Sequence, residues 1–164
     1  MLHKVLSYED IDELLSYDKE NGKIYQKKNR PKVAVGSEAG TVTPYGYRYV
    51  QLFGRKYPIH HLVWLFETKS FPKKFLDHKD GDRLNNKFSN LREVTKKQNN
   101  ENRGKQKNNK TGFKGVCLNA RLQKYVAQIQ HNGNTVYLGV FKTPQEASLV
   151  YQSAAKELFS HYKK

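Results

Sequence analysis

Cysteine is nearly absent from this 164-residue chain, where Cys117 stands alone. An internal disulfide is therefore impossible, and so is a cysteine-rich zinc cluster. No apolar run approaches the ~20 residues that cross a bilayer. Met1 to Asp10 lacks the apolar core of a secretory signal. These absences predict an intracellular chain without a membrane segment. Acidic residues are also scarce, 15 against 30 lysines and arginines, which leaves a formal net charge of +15. Self-repulsion on that scale opposes folding and favours a polyanionic partner, with nucleic acid the leading class. A merely basic protein, or a ribosome-associated one, fits the same charge. Hydrophobic residues make up only 37%, yet aromatics reach 12%, too many for a disordered chain. The length allows one ordinary domain or two small ones with thin cores.

Local patterns place the elements. Ser7 caps a helix expected over Tyr8 to Tyr17, with Asp10 at the capping-box position. Asn21-Gly22 is a hairpin signal ahead of a strand-like run, Lys23 to Gln26. Residues 29–40 read as irregular and basic. Tyr47 to Phe53, turned by Gly54-Arg55 into Lys56 to Ile59, predicts a second hairpin. A short helix over His60 to Glu67 carries an apolar stripe of Leu62, Val63, Leu65 and Phe66. Residues 104–110 read as a basic, flexible or DNA-contacting linker. Beyond it come three strands, Phe113 to Asn119, Lys124 to His131 and Thr135 to Phe141, with Asn132-Gly133 in the second turn. Thr143, Pro144 and Glu146 then open a helix whose apolar face carries Ala147, Val150, Tyr151, Ala154, Ala155 and Leu158. The fold class is α+β: a mixed N-terminal region, then a three-stranded antiparallel sheet packed on one helix.

One segment concentrates chemistry. Asp77-His78-Lys79-Asp80-Gly81-Asp82 ends a strand and enters a turn-rich loop, and Thr95 with Gln98 forms a capping box that starts a helix bearing Asn99. A strand packed on a helix can bring Asp77, His78 and Asn99 together. Cutting a phosphodiester calls for a divalent ion, hard oxygen ligands and a base near neutrality. A carboxylate, an amide carbonyl and an imidazole of reference pKa ~6.5 supply that mixture. On residue chemistry alone the alternative of a polar, turn-forming loop stays open, as does a zinc site from His60, His61 and His78.

The stretch resembles the ββα-metal motif of HNH endonucleases of the phage and homing type. The matching residues are His60-His61-Leu62-Val63-Trp64, Asp77-His78 with Gly81-Asp82, Asn90-Leu91-Arg92 and Asn99. Position 61 carries His where that branch usually has Arg. The resemblance implies that Asp77 and Asn99 hold the metal and that His78 is the general base. It implies that Asn90 braces the loop and that His60 is a fourth active-site residue, catalytic or structural. The implied cofactor is one divalent ion, magnesium first and manganese second.

Residues 111–164 resemble the Apetala-two/ethylene-response-factor DNA-binding domain. The resemblance rests on Phe113-Lys114-Gly115-Val116, Tyr125 to Ile129, Tyr137 to Phe141 and the helix Pro144 to Phe159. Strand alternation points Tyr125, Ala127, Ile129, Val136 and Leu138 inward. Lys114, Asn119, Arg121, Lys124, Gln128, Gln130, Thr135 and Tyr137 are the DNA-facing candidates. Cys117 and Asn119 replace two arginines typical of that family's first strand, and Gln128 replaces an acidic residue.

The expected organisation is a nuclease domain over 1–103, with its metal motif at about 75–103, the linker, and a DNA-binding domain over 111–164. The implied protein is a monomeric, metal-dependent endonuclease or nicking enzyme on double-stranded DNA, in a bacterial or phage-infected cytoplasm. A DNA-binding regulator with an inactive nuclease fold is the alternative. A basic RNA-binding protein is a third class, without support in the motif spacing.

Overall fold

The computed structural model describes residues 6–29, 31, 33–102 and 109–159. The chain divides into two compact units, 1–96 and 97–164. The division falls at the start of the helix carrying Asn99, ahead of the boundary near residue 103 expected from composition. Of the expected linker, residues 104–108 lie outside the described residues. Asn109 already belongs to an ordered turn, its side-chain oxygen accepting from the N–H groups of Thr111 and Gly112 at 3.0 Å each.

In the first unit, Ser7 and Asp10 form the expected capping box on α1 (Tyr8–Asp12). The helix stops well short of Tyr17. Leu15–Asp18 is instead strand β1, paired antiparallel with β2 (Lys23–Gln26) around Asn21-Gly22. Isolated short helices are marginal, and β2 needs a partner for its backbone groups. The hairpin meets that need and still sends Leu15 and Ile24 into the core. Gly22 does more than turn the chain. At φ +66° it lies so close to a later loop that a Cβ would sit 2.4 Å from Lys87 N and 2.6 Å from the Asn86 carbonyl carbon.

Strands β3 (Thr41–Val42), β4 (Arg48–Leu52) and β5 (Arg55–Pro58) form a sheet in that order. Phe53 and Gly54, both at positive φ, make the tight β4–β5 turn. Helix α2 (Ile59–Thr68) follows directly and ends on Lys69 in the left-handed region. Its Ile59, Leu62, Val63, Leu65 and Phe66 are buried against Ile11, Leu15, Ile24, Val50 and Leu52. The remaining hairpin pairs β6 (Phe75–His78) with β7 (Leu91–Val94), and a 3-10 turn at Phe88–Asn90 leads into β7. Leu91 anchors it in the same core, and Trp64 of α2 packs on Phe88 with ring centroids 5.3 Å apart. The site loop, 79–87, is thus hung between a core-bound hairpin and α2.

All but the first residue of α3 (Lys96–Asn102) belongs to the second unit. Strands β8 (Val116–Asn119), β9 (Lys124–His131) and β10 (Asn134–Phe141) form a sheet in the order β10-β9-β8, covered by α4 (Pro144–Leu158). Thr143 and Glu146 close the expected capping box. Ala127 and Ile129 pack with Val116, Ala147, Tyr151 and Ala155, as strand alternation requires. Three details differ from expectation. Strand β8 starts at Val116, because Gly115 (φ +71°) is pressed so tightly under the Tyr151 ring that a Cβ would lie 2.1 Å from it. Val136 pairs with Ile129 but is 40% exposed, since it sits on an edge strand. Leu158, in the last turn of α4, is also exposed. Among the described residues no helix is long and apolar enough to cross a membrane.

Candidate active site

Asp77 and His78 are the last residues of β6, so their side chains leave opposite faces of the β6–β7 ribbon. Asp77 faces its cross-strand partner Arg92, whose Nε and Nη2 donate to Asp77 Oδ2 at 3.2 and 3.0 Å. His78, opposite the core residue Leu91, is only 3% exposed. Its Nε2 lies 3.0 Å from Asn86 Oδ1, and Asn86 is itself buried. The His60 ring meets the His78 ring edge-on at 5.1 Å, and Tyr47 lies beside both. Arg83 stacks over Tyr47, its guanidinium carbon 4.8 Å from the ring centroid, and donates to the Tyr45 carbonyl. Cationic Arg83 therefore stands near the histidine pair without being buried in it.

Asn90 clasps the loop between the strands. Its amide nitrogen donates to Asp80 Oδ1 (2.9 Å) and to the Asn85 carbonyl (2.8 Å), and its side-chain oxygen accepts from Asp80 N–H (3.1 Å). Burial alone would raise the Asp80 carboxyl. Donation from Asn90, Asn85 and the Asp82 N–H outweighs it and holds Asp80 below the ordinary carboxylate range.

His60, in the first turn of α2, is buried, and burial together with neighbouring His61 and His78 pushes its pKa down to about 3. It stands as a neutral ring beneath His78. Burial also lowers His61. Stability should therefore depend on pH. Below ~6.5 the unfolded chain protonates His60 while the folded chain refuses the proton, so stability falls as pH drops from ~6.5 toward 3. By pH ~5 the loss is about 2 kcal/mol. Urea unfolding of wild type and His60→Phe at pH ~7.5 and ~5 checks this: the wild type should lose about 2 kcal/mol more over the interval. Equal losses would contradict a neutral, buried His60.

The donor chemistry suits a hard divalent ion. Among the described residues no three His, Cys, Asp or Glu side chains form a group able to hold a metal unaided. That is unfavourable for the three-histidine zinc alternative. Magnesium has no such requirement, since it keeps several waters and combines one or two carboxylates with substrate phosphate oxygens. The Asp77 carboxylate, only 12% exposed and at a strand end, fits the role of that single carboxylate. Asn99 stands on α3 in the second unit.

The DNA-facing candidates separate into two groups. Gln128 and Tyr137 are cross-strand partners, as are Gln130 and Thr135, and all four are exposed on the sheet face turned away from α4. Lys124 shares that face, and Arg121 is exposed in the β8–β9 turn. Two candidates are engaged elsewhere. The half-buried ammonium of Lys114 donates to the Glu101 carbonyl of α3, and burial lowers its pKa. The Asn119 side-chain oxygen accepts from Arg121 and Leu122 N–H, closing the turn.

Sequence reasoning passes over Asn86, Tyr47, Arg83 and Gly22. Asn86 is legible only as a turn residue, and the side chain it meets is eight positions away.

Residues 57–101 match the HNH endonuclease family. An uncharacterised HNH endonuclease of Acanthamoeba polyphaga mimivirus is 31% identical over 109 residues, covering 65% of this chain and 56% of the relative. The chain thus spans just over half the length of the curated relative it matches. No solved structure matches. The matched segment runs from β5 into α3 and holds His60, Asp77, His78, Asn86, Asn90 and Asn99, so the similarity to the HNH endonuclease family covers the candidate site.

Proposed function

We propose that this chain is a divalent-metal-dependent DNA endonuclease with His78 as general base and a C-terminal sheet that grips double-stranded DNA. The observation that carries the reading is the strand-end pair: a carboxylate, Asp77, beside an imidazole, His78, that the fold fixes by a hydrogen bond to Asn86. Asp77 and Asn99 would hold the ion, magnesium first and manganese second. Such an ion, when bound, supplies positive charge that neutralises the phosphate and the departing oxygen. His78 takes a proton from water. The water oxygen then bonds to phosphorus as one bridging P–O bond breaks. The Arg92 guanidinium adds fixed positive charge beside Asp77, and neutral His60 supports the base from below. One such site per chain breaks one strand per visit, which favours a nick as the product and a monomer as the working unit. Incubating the purified chain with supercoiled plasmid and magnesium tests the reading: open circles should accumulate, and a plasmid left intact in every salt would overturn it.

Support for the DNA-gripping sheet is its exposed outer face, the +15 charge of the chain and the resemblance to the Apetala-two/ethylene-response-factor domain. Gln128 and Gln130 have the bidentate geometry for adenine, Arg121 that for guanine, and Lys124 suits phosphate. Thr135 and Tyr137 fill the same face. Lys114 and Asn119 would join this contact set while also bonding within the unit. Each lost phosphate contact flattens the log–log salt dependence of binding by ~0.9. Arg121→Ala with Lys124→Ala should therefore lower the slope by about 1.8 if both touch the backbone. An unchanged slope and affinity would take this face off the DNA.

A further inference from the structure

One row of the C-terminal sheet's outer face is apolar. Val126, in the middle strand β9, pairs with Cys117 of β8 on one side and with Val140 of β10 on the other. Cys117 is exposed and both valines are half-buried, yet neither valine joins the apolar clusters that α4 covers. Alternation puts Val126 on the face of Lys124, Gln128 and Gln130, opposite to Ala127 and Ile129. In β10, Tyr137 and Val140 stand three positions apart and would leave opposite faces of a regular strand. A register shift between Tyr137 and Gly139, with Gly139 at φ +131°, sets both on the outer face. The apolar row is thus bracketed by two polar ones, Asn119 with Lys124 and Gln128 with Tyr137.

The charge around this row fits a polyanion and narrows what the face can read. Residues 102–145 hold eight lysines and arginines and not one carboxylate. Cytosine's amino group, which Asp or Glu reads, therefore finds no carboxylate acceptor on these strands. Adenine is read by a bidentate Gln or Asn, and thymine by apolar contact with its C5-methyl group. The face offers both, an amide at Gln128 next to aliphatic surface at Val126 and Val140. We propose that the outer face reads A·T pairs in the major groove, with Val126, Val140 and Cys117 receiving thymine methyls beside an adenine held by Gln128. The assignment rests on the sheet being the DNA grip proposed above. The valines act by shape and by excluding water, so their preference is for the methyl group itself. Burying one such group is worth about fourfold in affinity.

Uracil differs from thymine only in lacking that methyl, so it isolates the contact. The test measures equilibrium binding of the full-length chain, in EDTA to suppress cleavage, to short duplexes of alternating d(A-T), d(A-U) and d(G-C) at one salt concentration. Wild type should bind d(A-T) about tenfold tighter than d(G-C). It should lose about four- to fifteenfold on d(A-U), the effect of one or two methyls. Val126→Thr with Val140→Thr keeps shape and strand propensity but exchanges a methyl for a hydroxyl at each site. That variant should bind d(A-T) and d(A-U) alike within about twofold. Equal wild-type affinity for d(A-T) and d(A-U) overturns the proposal, and that comparison needs no variant to fold. Full discrimination retained by the double variant overturns it too, because the methyl would then be read elsewhere. The grip is scored separately, by the salt slope of Arg121→Ala with Lys124→Ala. A slope that falls while uracil is neutral keeps the grip and sinks the methyl reading. An unchanged slope with uracil neutral sinks both.

Discussion

His78→Ala should abolish DNA cleavage while DNA binding survives. A positioned general base contributes typically 10²–10⁴-fold. Among the described residues His60 is the imidazole in ring contact with His78, but burial holds it neutral down to a pKa of about 3. The proposed DNA contacts Arg121 and Lys124 are left in place by the substitution. His78→Ala opens a cavity between Tyr47 and His60, which costs stability of the order expected for large-to-small core changes, ~2–5 kcal/mol. His78→Gln is the control that keeps most of the volume. Single-turnover cleavage and equilibrium binding, measured on the same DNA, separate the two effects. Cleavage by a folded His78→Gln within tenfold of wild type would mean the base is another group.

Removing the metal, or its carboxylate, should be equally damaging. Charge neutralisation at a phosphate is worth several kcal/mol, and each ~1.4 kcal/mol is tenfold in rate. Chelation should bring cleavage to background, and added magnesium should restore it. Asp77→Ala should lose at least about a hundredfold at saturating magnesium. That variant also leaves the Arg92 guanidinium without its 3.0 Å partner, so Asp77→Ala with Arg92→Ala is the informative companion. Recovery of cleavage in the double variant would show that Asp77 served only to hold Arg92.

Features whose chemistry closes within a few residues are legible in the amino-acid sequence. The capping boxes at Ser7 and Thr143 and the Asn132-Gly133 turn, at φ 51° and 83°, form where local rules place them. The HNH segment is legible because its spacing is a family pattern, whereas chemistry alone leaves a polar loop in contention. Other features depend on partners distant in sequence. Ile11, Leu14 and Leu15 have helical spacing, yet β2 claims Leu15–Asp18 as its strand partner. Lys114 reads as a DNA contact, and its bond to the Glu101 carbonyl, thirteen positions away, is not legible locally. Gly22 reads as a turn glycine, and only the packed unit reveals its second task against the Asn86–Lys87 backbone. Asn86 shows the same limit at the site itself, since one residue type serves both turns and side-chain acceptance.

The most direct test sets wild type and His78→Gln side by side on supercoiled plasmid, each with magnesium and with EDTA. Open circles from wild type with magnesium, and from none of the other three reactions, is the predicted result. Nicking that persists in EDTA, or that His78→Gln performs at the wild-type rate, would contradict a metal-dependent nuclease centred on Asp77 and His78.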